Sequence, residues 1–204
     1  MSTDGVDLNR RHFLTVATTV VGGVGAVLTA VPFVSSMEPS ARAKALGAPV
    51  EVDFSKLEAG AIMRVKWRGK PAWVVSRTPE MLKHLKAVPT GNLRDPDSKE
   101  DQQPSYCVNE YRSIKPEIFV VIGICTHLGC SPEYQPTAEP KPYAENWLGG
   151  FYCPCHGSRY DLAGRVFKGV PAPLNLVVPP YHFVNDTTVI VGEGKSKANG
   201  KGNA

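Results

Sequence analysis

Two short boxes constrain this chain more than anything else in it. The first is Cys125-Thr126-His127-Leu128-Gly129-Cys130. The second is Cys153-Pro154-Cys155-His156-Gly157-Ser158, followed by Arg159 and Tyr160. Four of the chain's five cysteines and two of its five histidines fall inside them. Thiolate is a soft ligand suited to zinc, copper(I) or iron–sulfur clusters, and imidazole suits zinc and iron. Two thiolates and two imidazoles leave two readings: a tetrahedral Cys2His2 zinc, or a [2Fe–2S] cluster with two cysteines on one iron and two histidines on the other. Zinc sites more often take a cysteine pair from one segment and a histidine pair from another. Here each box mixes the two types, as Cys125-x-His127 and Cys153-x-x-His156, so each loop offers one sulfur and one nitrogen. The spacing favours the cluster.

Both boxes resemble those of the Rieske iron–sulfur subunits of respiratory quinol–cytochrome c oxidoreductases, the cytochrome bc1 complexes. The resemblance runs over nearly the whole chain. It implies that Cys125 and Cys153 bind the buried iron and His127 and His156 the outer one. It implies a disulfide between Cys130 and Cys155. Ser158 and Tyr160 match the family's hydroxyl donors, to a bridging sulfide and to the Cys125 sulfur. Gly169-Val170-Pro171-Ala172-Pro173-Leu174-Asn175-Leu176 resembles the family's proline loop, with Val170 where glycine is the common residue. Leu128, Gly129 and Pro171 would form the apolar docking tip.

The function so implied is electron transfer. A high-potential cluster oxidises ubiquinol with release of protons, His156 facing the quinol, and the electron passes to cytochrome c1. The second electron goes to cytochrome b, another subunit. The implied partners are cytochrome b, cytochrome c1, ubiquinol, the membrane and a dimeric complex. Three alternatives stand beside this reading. One is a zinc-stabilised exported binding module. Another is a soluble Rieske ferredoxin or oxygenase component, which usually lacks the Cys130/Cys155 pair and an anchor. The third is the small subunit of a periplasmic oxidase such as arsenite oxidase.

Residues 1–12 are polar and end in Arg10-Arg11-His12, directly before Phe13-Leu14. This resembles a bacterial twin-arginine export signal, a route that passes folded, cluster-loaded proteins. Residues 13–34 carry no charge and are long enough to cross a hydrocarbon core of about 30 Å. They are too long for the apolar region of an ordinary cleaved signal peptide, about 7–15 residues. The expectation is a retained anchor in a bacterial inner membrane, with the head on the periplasmic side. Residues 35–48 are small, polar and alanine-rich, suiting a flexible neck. In the family that neck lets the head swing between redox partners. The formal charge of +4 forms no basic stripe with interleaved aromatics, so nucleic-acid binding is not expected.

The head is expected over 49–192, with its cluster-binding part at about 123–165 and a disordered tail at 193–204. Residues 50–53 alternate and read as a strand. Residues 62–67 and 71–76 read as a hairpin around Arg68-Gly69-Lys70. Thr78 followed by Pro79 opens a short helix to Ala87. Residues 89–105 read as a surface loop. The unbroken apolar run 118–124 reads as a strand buried on both faces, delivering Cys125 from the core. Residues 131–152, with four prolines, read as an ordered loop excursion, its end at Phe151-Tyr152 a short strand. Residues 181–185 and 188–191 read as a closing hairpin. Cys107 reads as a small buried thiol. The fold class is thus mostly β: one transmembrane helix, a neck, and an antiparallel head with a smaller cluster-binding subdomain.

Overall fold

The computed structural model of the chain describes residues 7–194, so the first half of the polar start and most of the expected tail lie outside the described residues. The chain divides into two units, Met1–Ala45 and Leu46–Ala204.

The first unit is carried by α1 (Leu8–Ser36). Asp7 caps it, its carboxylate accepting from the amides of Asn9 and Arg10 at 3.0 and 3.1 Å. That satisfies two of the amides a helix start leaves unpaired. The helix therefore begins earlier than the apolar run, and Arg10 and Arg11 lie inside it. It is long and apolar enough to cross a membrane. Thr15, Thr18, Thr19 and Thr29 each donate their hydroxyl to the carbonyl four residues back. No threonine of the helix thus carries an unpaired donor, the condition an apolar solvent imposes. A second short helix, α2 (Ala41–Leu46), occupies part of the expected neck.

The head is built from three three-stranded antiparallel sheets. β1 (Val50–Asp53), β8 (Tyr181–Phe183) and β9 (Thr188–Val191) form one, in the order β1-β9-β8, with Val50 opposite Val191. β2 (Ile62–Trp67), β3 (Lys70–Ser76) and β4 (Ile118–Ile122) form the second, with Trp73 opposite Val121. All five residues of β4 are buried, as its unbroken apolar run requires. The third sheet is β5 (Glu133–Gln135), β6 (Gly150–Cys153) and β7 (Ser158–Tyr160). Phe151 of β6 seats that sheet on the second one. Its ring stacks on Trp73 at 5.7 Å and packs on Phe119 at 6.4 Å. Burying such a ring contributes about 2–3 kcal/mol.

The capped helix is α3 (Pro79–Ala87), whose Thr78 hydroxyl accepts from the Met81 amide at 3.1 Å. Residues 89–105 form the expected surface loop, mostly exposed, with Leu93 and Ser98 buried and the Asp95 carboxylate accepting from the amides of Lys99 and Glu100. One expectation needs correction. Residues 131–152 are not loop throughout, because β5 pairs with β6 there, Tyr134 opposite Phe151. Cys107 is a free, fully buried thiol held up in pKa by burial.

Candidate metal centre

The two boxes are closed by the same backbone device. In the first, the Gly129 amide donates to the Cys125 carbonyl at 3.1 Å, and the Cys125 amide donates to the Cys130 carbonyl at 2.8 Å. In the second, the Gly157 amide donates to the Cys153 carbonyl at 2.9 Å. Both glycines are left-handed, φ +85° and +74°, where any other residue is disfavoured. Each box thus turns back on its leading cysteine within four residues. Register fixes the second box further: Cys153 ends β6 directly opposite Ser158, which opens β7.

Cys130 and Cys155 form a disulfide that ties one loop to the other. Cys125 and Cys153 are free thiols, each only 2% exposed. The sulfurs of Cys130, Cys153 and Cys155 lie within 4.8 Å of one another, but the disulfide leaves only Cys153 of that trio able to ligate. Burial pushes the Cys153 thiol up, and the neighbouring Cys125 adds to this, so a metal must expel a tightly held proton. The His127 and His156 rings lie 4.8 Å apart, edge to face. His127 is half-buried and His156 exposed. Nδ1 of His127 is buried and without a hydrogen-bond partner.

One hydroxyl group stands against the Cys125 sulfur. Tyr160 Oη accepts from the Thr126 amide at 3.1 Å and stands 3.2 Å from both Cys125 Sγ and Thr126 Oγ1. The Thr126 hydroxyl is 2.7 Å from the Leu174 carbonyl and spends its only proton there. Tyr160 is therefore the donor to whichever neighbour takes its proton, and a Cys125 thiolate can only accept. Burial holds the Tyr160 phenol pKa up, so the proton is present to be shared. Ser158 Oγ accepts from the Ala172 amide at 3.1 Å. Its own proton has no acceptor among the described residues. Leu128 is 71% exposed, and Gly129 and Pro171 are also exposed.

Behind the boxes lies a buried charge network with no local sequence signal. Asp161, fully buried, accepts from the amides of Ala163 and Arg165 and from Arg165 Nε at 2.7 Å. Arg77 donates to the carbonyls of Tyr111 and Leu162 and to Ser113 Oγ. Arg112 donates to the carbonyls of Ala163, Gly164 and Leu176 and to Gln103 Oε1. Burial pulls both guanidinium pKa values down to about 10, which still leaves them charged at neutral pH. Asn175 completes the set, accepting from the Val166 amide and donating to the Asp95 carbonyl. Only Thr126 had a signal, as a hydroxyl residue inside the first box.

Two buried free thiols, an orphaned imidazole nitrogen beside a second imidazole, and an uncommitted serine proton fit a mixed-ligand [2Fe–2S] cluster. Each of these groups has an unmet valence or proton that such a cluster would meet.

Comparison with known proteins agrees. Residues 55–181 match the model of the Rieske [2Fe-2S] domain, and residues 1–40 match that of the ubiquinol–cytochrome c reductase Fe–S subunit TAT signal. The chain is 61% identical over 198 residues to the ubiquinol–cytochrome c reductase iron–sulfur subunit of Allochromatium vinosum, covering 97% of this chain and 95% of that one. It is 45% identical over 191 residues to the subunit of the same name from Rhodospirillum rubrum, covering 94% and 96%. It is 43% identical over 193 residues to that of Blastochloris viridis, covering 95% and 98%.

Proposed function

The chain belongs to the Rieske iron–sulfur subunits of ubiquinol–cytochrome c reductase, and on that premise we propose that Cys125 and Cys153 hold one iron of its cluster and His127 and His156 the other. The protein is a membrane-anchored electron-transfer subunit of the bc1 complex and carries one Rieske [2Fe–2S] cluster. The observation that carries the ligand assignment is the pair of free buried thiols, Cys125 and Cys153, beside the unpartnered Nδ1 of His127.

When bound, the cluster supplies a one-electron acceptor whose histidine ligands lift its potential to about −150 to +300 mV, against about −400 mV for plant-type clusters. The residues of the chain do the rest. Tyr160 and Ser158 direct hydroxyl protons at sulfur, which favours the upper part of that range. Leu128, Gly129 and Pro171 present an apolar, exposed tip to the quinol pocket. His156, the exposed imidazole, accepts a hydrogen bond from the ubiquinol hydroxyl and takes its proton as the quinol loses an electron. His127 is the second imidazole and faces the acceptor. The subunit hands its electron to cytochrome c1, and the second quinol electron goes to cytochrome b. Residues 35–48 tether a moving head on the periplasmic side of the inner membrane, within a dimeric complex.

The test is electron paramagnetic resonance on the full-length chain in its membrane complex, with a redox titration repeated from neutral to alkaline pH. A reduced mixed-ligand signal with a high midpoint that falls as pH rises is expected. A low, pH-independent midpoint overturns the quinol role, and bound zinc with no paramagnetic signal overturns the assignment of these ligands to a cluster.

A further inference from the structure

Arg112 is fully buried and has no carboxylate within ion-pair distance among the described residues. Its guanidinium instead gathers three pieces of chain. Nη1 donates to the carbonyls of Ala163 and Gly164, at 3.1 and 3.4 Å. Nη2 donates to the carbonyl of Leu176 at 2.8 Å and to Gln103 Oε1 at 2.7 Å. Ala163 and Gly164 belong to the turn that directly follows Tyr160. Leu176 ends the proline-rich loop. Gly164 permits the approach, since a Cβ there would lie 3.3 Å from Nη1 and 3.2 Å from Leu176.

Both pieces lead to one atom, the hydroxyl oxygen of Tyr160. One route is the chain itself, three residues from Ala163 back to Tyr160. The other runs from Leu176 to the Leu174 carbonyl, which holds the Thr126 hydroxyl, which stands 3.2 Å from Tyr160 Oη. Tyr160 Oη in turn lies 3.2 Å from Cys125 Sγ. A hydrogen bond to a thiolate weakens steeply with misalignment, so the fixed ends of both routes decide its strength.

We propose that Arg112 is a positioning residue for the redox centre: by pinning the 163–164 turn and Leu176 together, it sets the aim of the Tyr160 hydroxyl at Cys125 and hence the reduction potential. The inference rests on the ligand assignment above. A guanidinium suits the task because its planar fork meets several carbonyls at fixed angles, whereas an ammonium is a point charge on a flexible stem.

The test compares Arg112→Lys, Tyr160→Phe and the double variant in the full-length chain within its complex. Midpoints are read by paramagnetic resonance and normalised to cluster content. Arg112→Lys keeps the charge, so a purely electrostatic role predicts an unmoved midpoint. The expected result is a fall of about tenfold in the reduction equilibrium, about 59 mV for one electron. Because Arg112 acts through Tyr160, the double variant falls no further than Tyr160→Phe alone. Gln103→Leu, which removes the side-chain acceptor that orients the fork, shifts the midpoint in the same direction by less, and stands in if Arg112→Lys loses the cluster. Unmoved midpoints in Arg112→Lys and Gln103→Leu overturn the proposal, as do additive shifts in the double variant. A wild-type chain without the mixed-ligand signal overturns the ligand assignment as well, which separates the two failures.

Discussion

The hydroxyl of Thr126 lies 2.7 Å from the carbonyl oxygen of Leu174, a bond that crosses from the first box to the proline-rich loop. Thr126→Val keeps the shape of the side chain and removes the donor. The Leu174 carbonyl is then left without that partner, at a cost of about 1–3 kcal/mol. Thermal unfolding of the full-length subunit in detergent should show the loss. A variant as stable as the wild type would mean that water replaces the hydroxyl without penalty.

The disulfide offers a second prediction. Cys130 and Cys155 are separated by 25 residues, a loop whose closure is worth about 3.5 kcal/mol in the chain-entropy account. Neither ligand loop has much core of its own, so the cross-link limits how far the loops part. Cys130→Ser and Cys155→Ser should each shorten the lifetime of the cluster signal and lower its midpoint. Unchanged lifetime and midpoint in both would remove that role.

Gly123 stands between β4 and the first box, against the face of Trp73. A Cβ at this position would fall 2.0 Å from the indole ring. The ring has little room to retreat, because it is buried and Phe151 stacks on it at 5.7 Å. Gly123→Ala should therefore destabilise the head by roughly 1–3 kcal/mol or more through overpacking. Denaturant unfolding measures this, and a midpoint equal to the wild type's would show that β3 and β4 yield at little cost.

Alkaline stability follows from a buried phenol, Tyr181, and a half-buried one, Tyr134. Burial raises the pKa of Tyr181, whose Oη accepts from the Ile114 amide, and of Tyr134, whose Oη donates to the Gly60 carbonyl. In the unfolded chain both ionise near pH 10, while in the folded head they stay protonated. Above about pH 10 the folded state binds more protons, so unfolding free energy falls by about 1.4 kcal/mol per pH unit for each phenol. Below that pH the contribution is fully present and flat. Tyr134→Phe and Tyr181→Phe should each make the alkaline slope shallower, read from denaturant midpoints against pH. An identical slope in both variants would place the titrating groups elsewhere.

How legible this molecule is from its residues depends on how local each signal is. The boxes are short and carry their chemistry in residue type, so Cys125, His127, Cys153 and His156 stand out at once. Thr78-Pro79 and the two runs flanking Arg68-Gly69-Lys70 are likewise local, and α3 and the β2–β3 hairpin form where those residues stand. Arg77 and Arg112 are the opposite case. A charged residue reads as surface, and nothing near either one says that carbonyls at 162, 163, 164 and 176 will surround it. The same holds for β5, whose three residues have no apolar run and become a strand only because β6 lies beside them. Residues 89–105 have a turn-rich composition and form a loop, but nothing local says that the Asp95 carbonyl will accept from Asn175, far along the chain.

The order β1-β9-β8 places the last strand of the head in the middle of its sheet. During synthesis, β1 emerges before its strand partner exists, and β8 likewise precedes its own. Both wait for Thr188–Val191, which is made after the two ligand boxes and the proline-rich loop. A chain cut short before residue 188 would keep all four proposed ligand side chains and still leave two strands without a neighbour. Completion of the C-terminal strand is therefore the event that turns a finished site into a finished head.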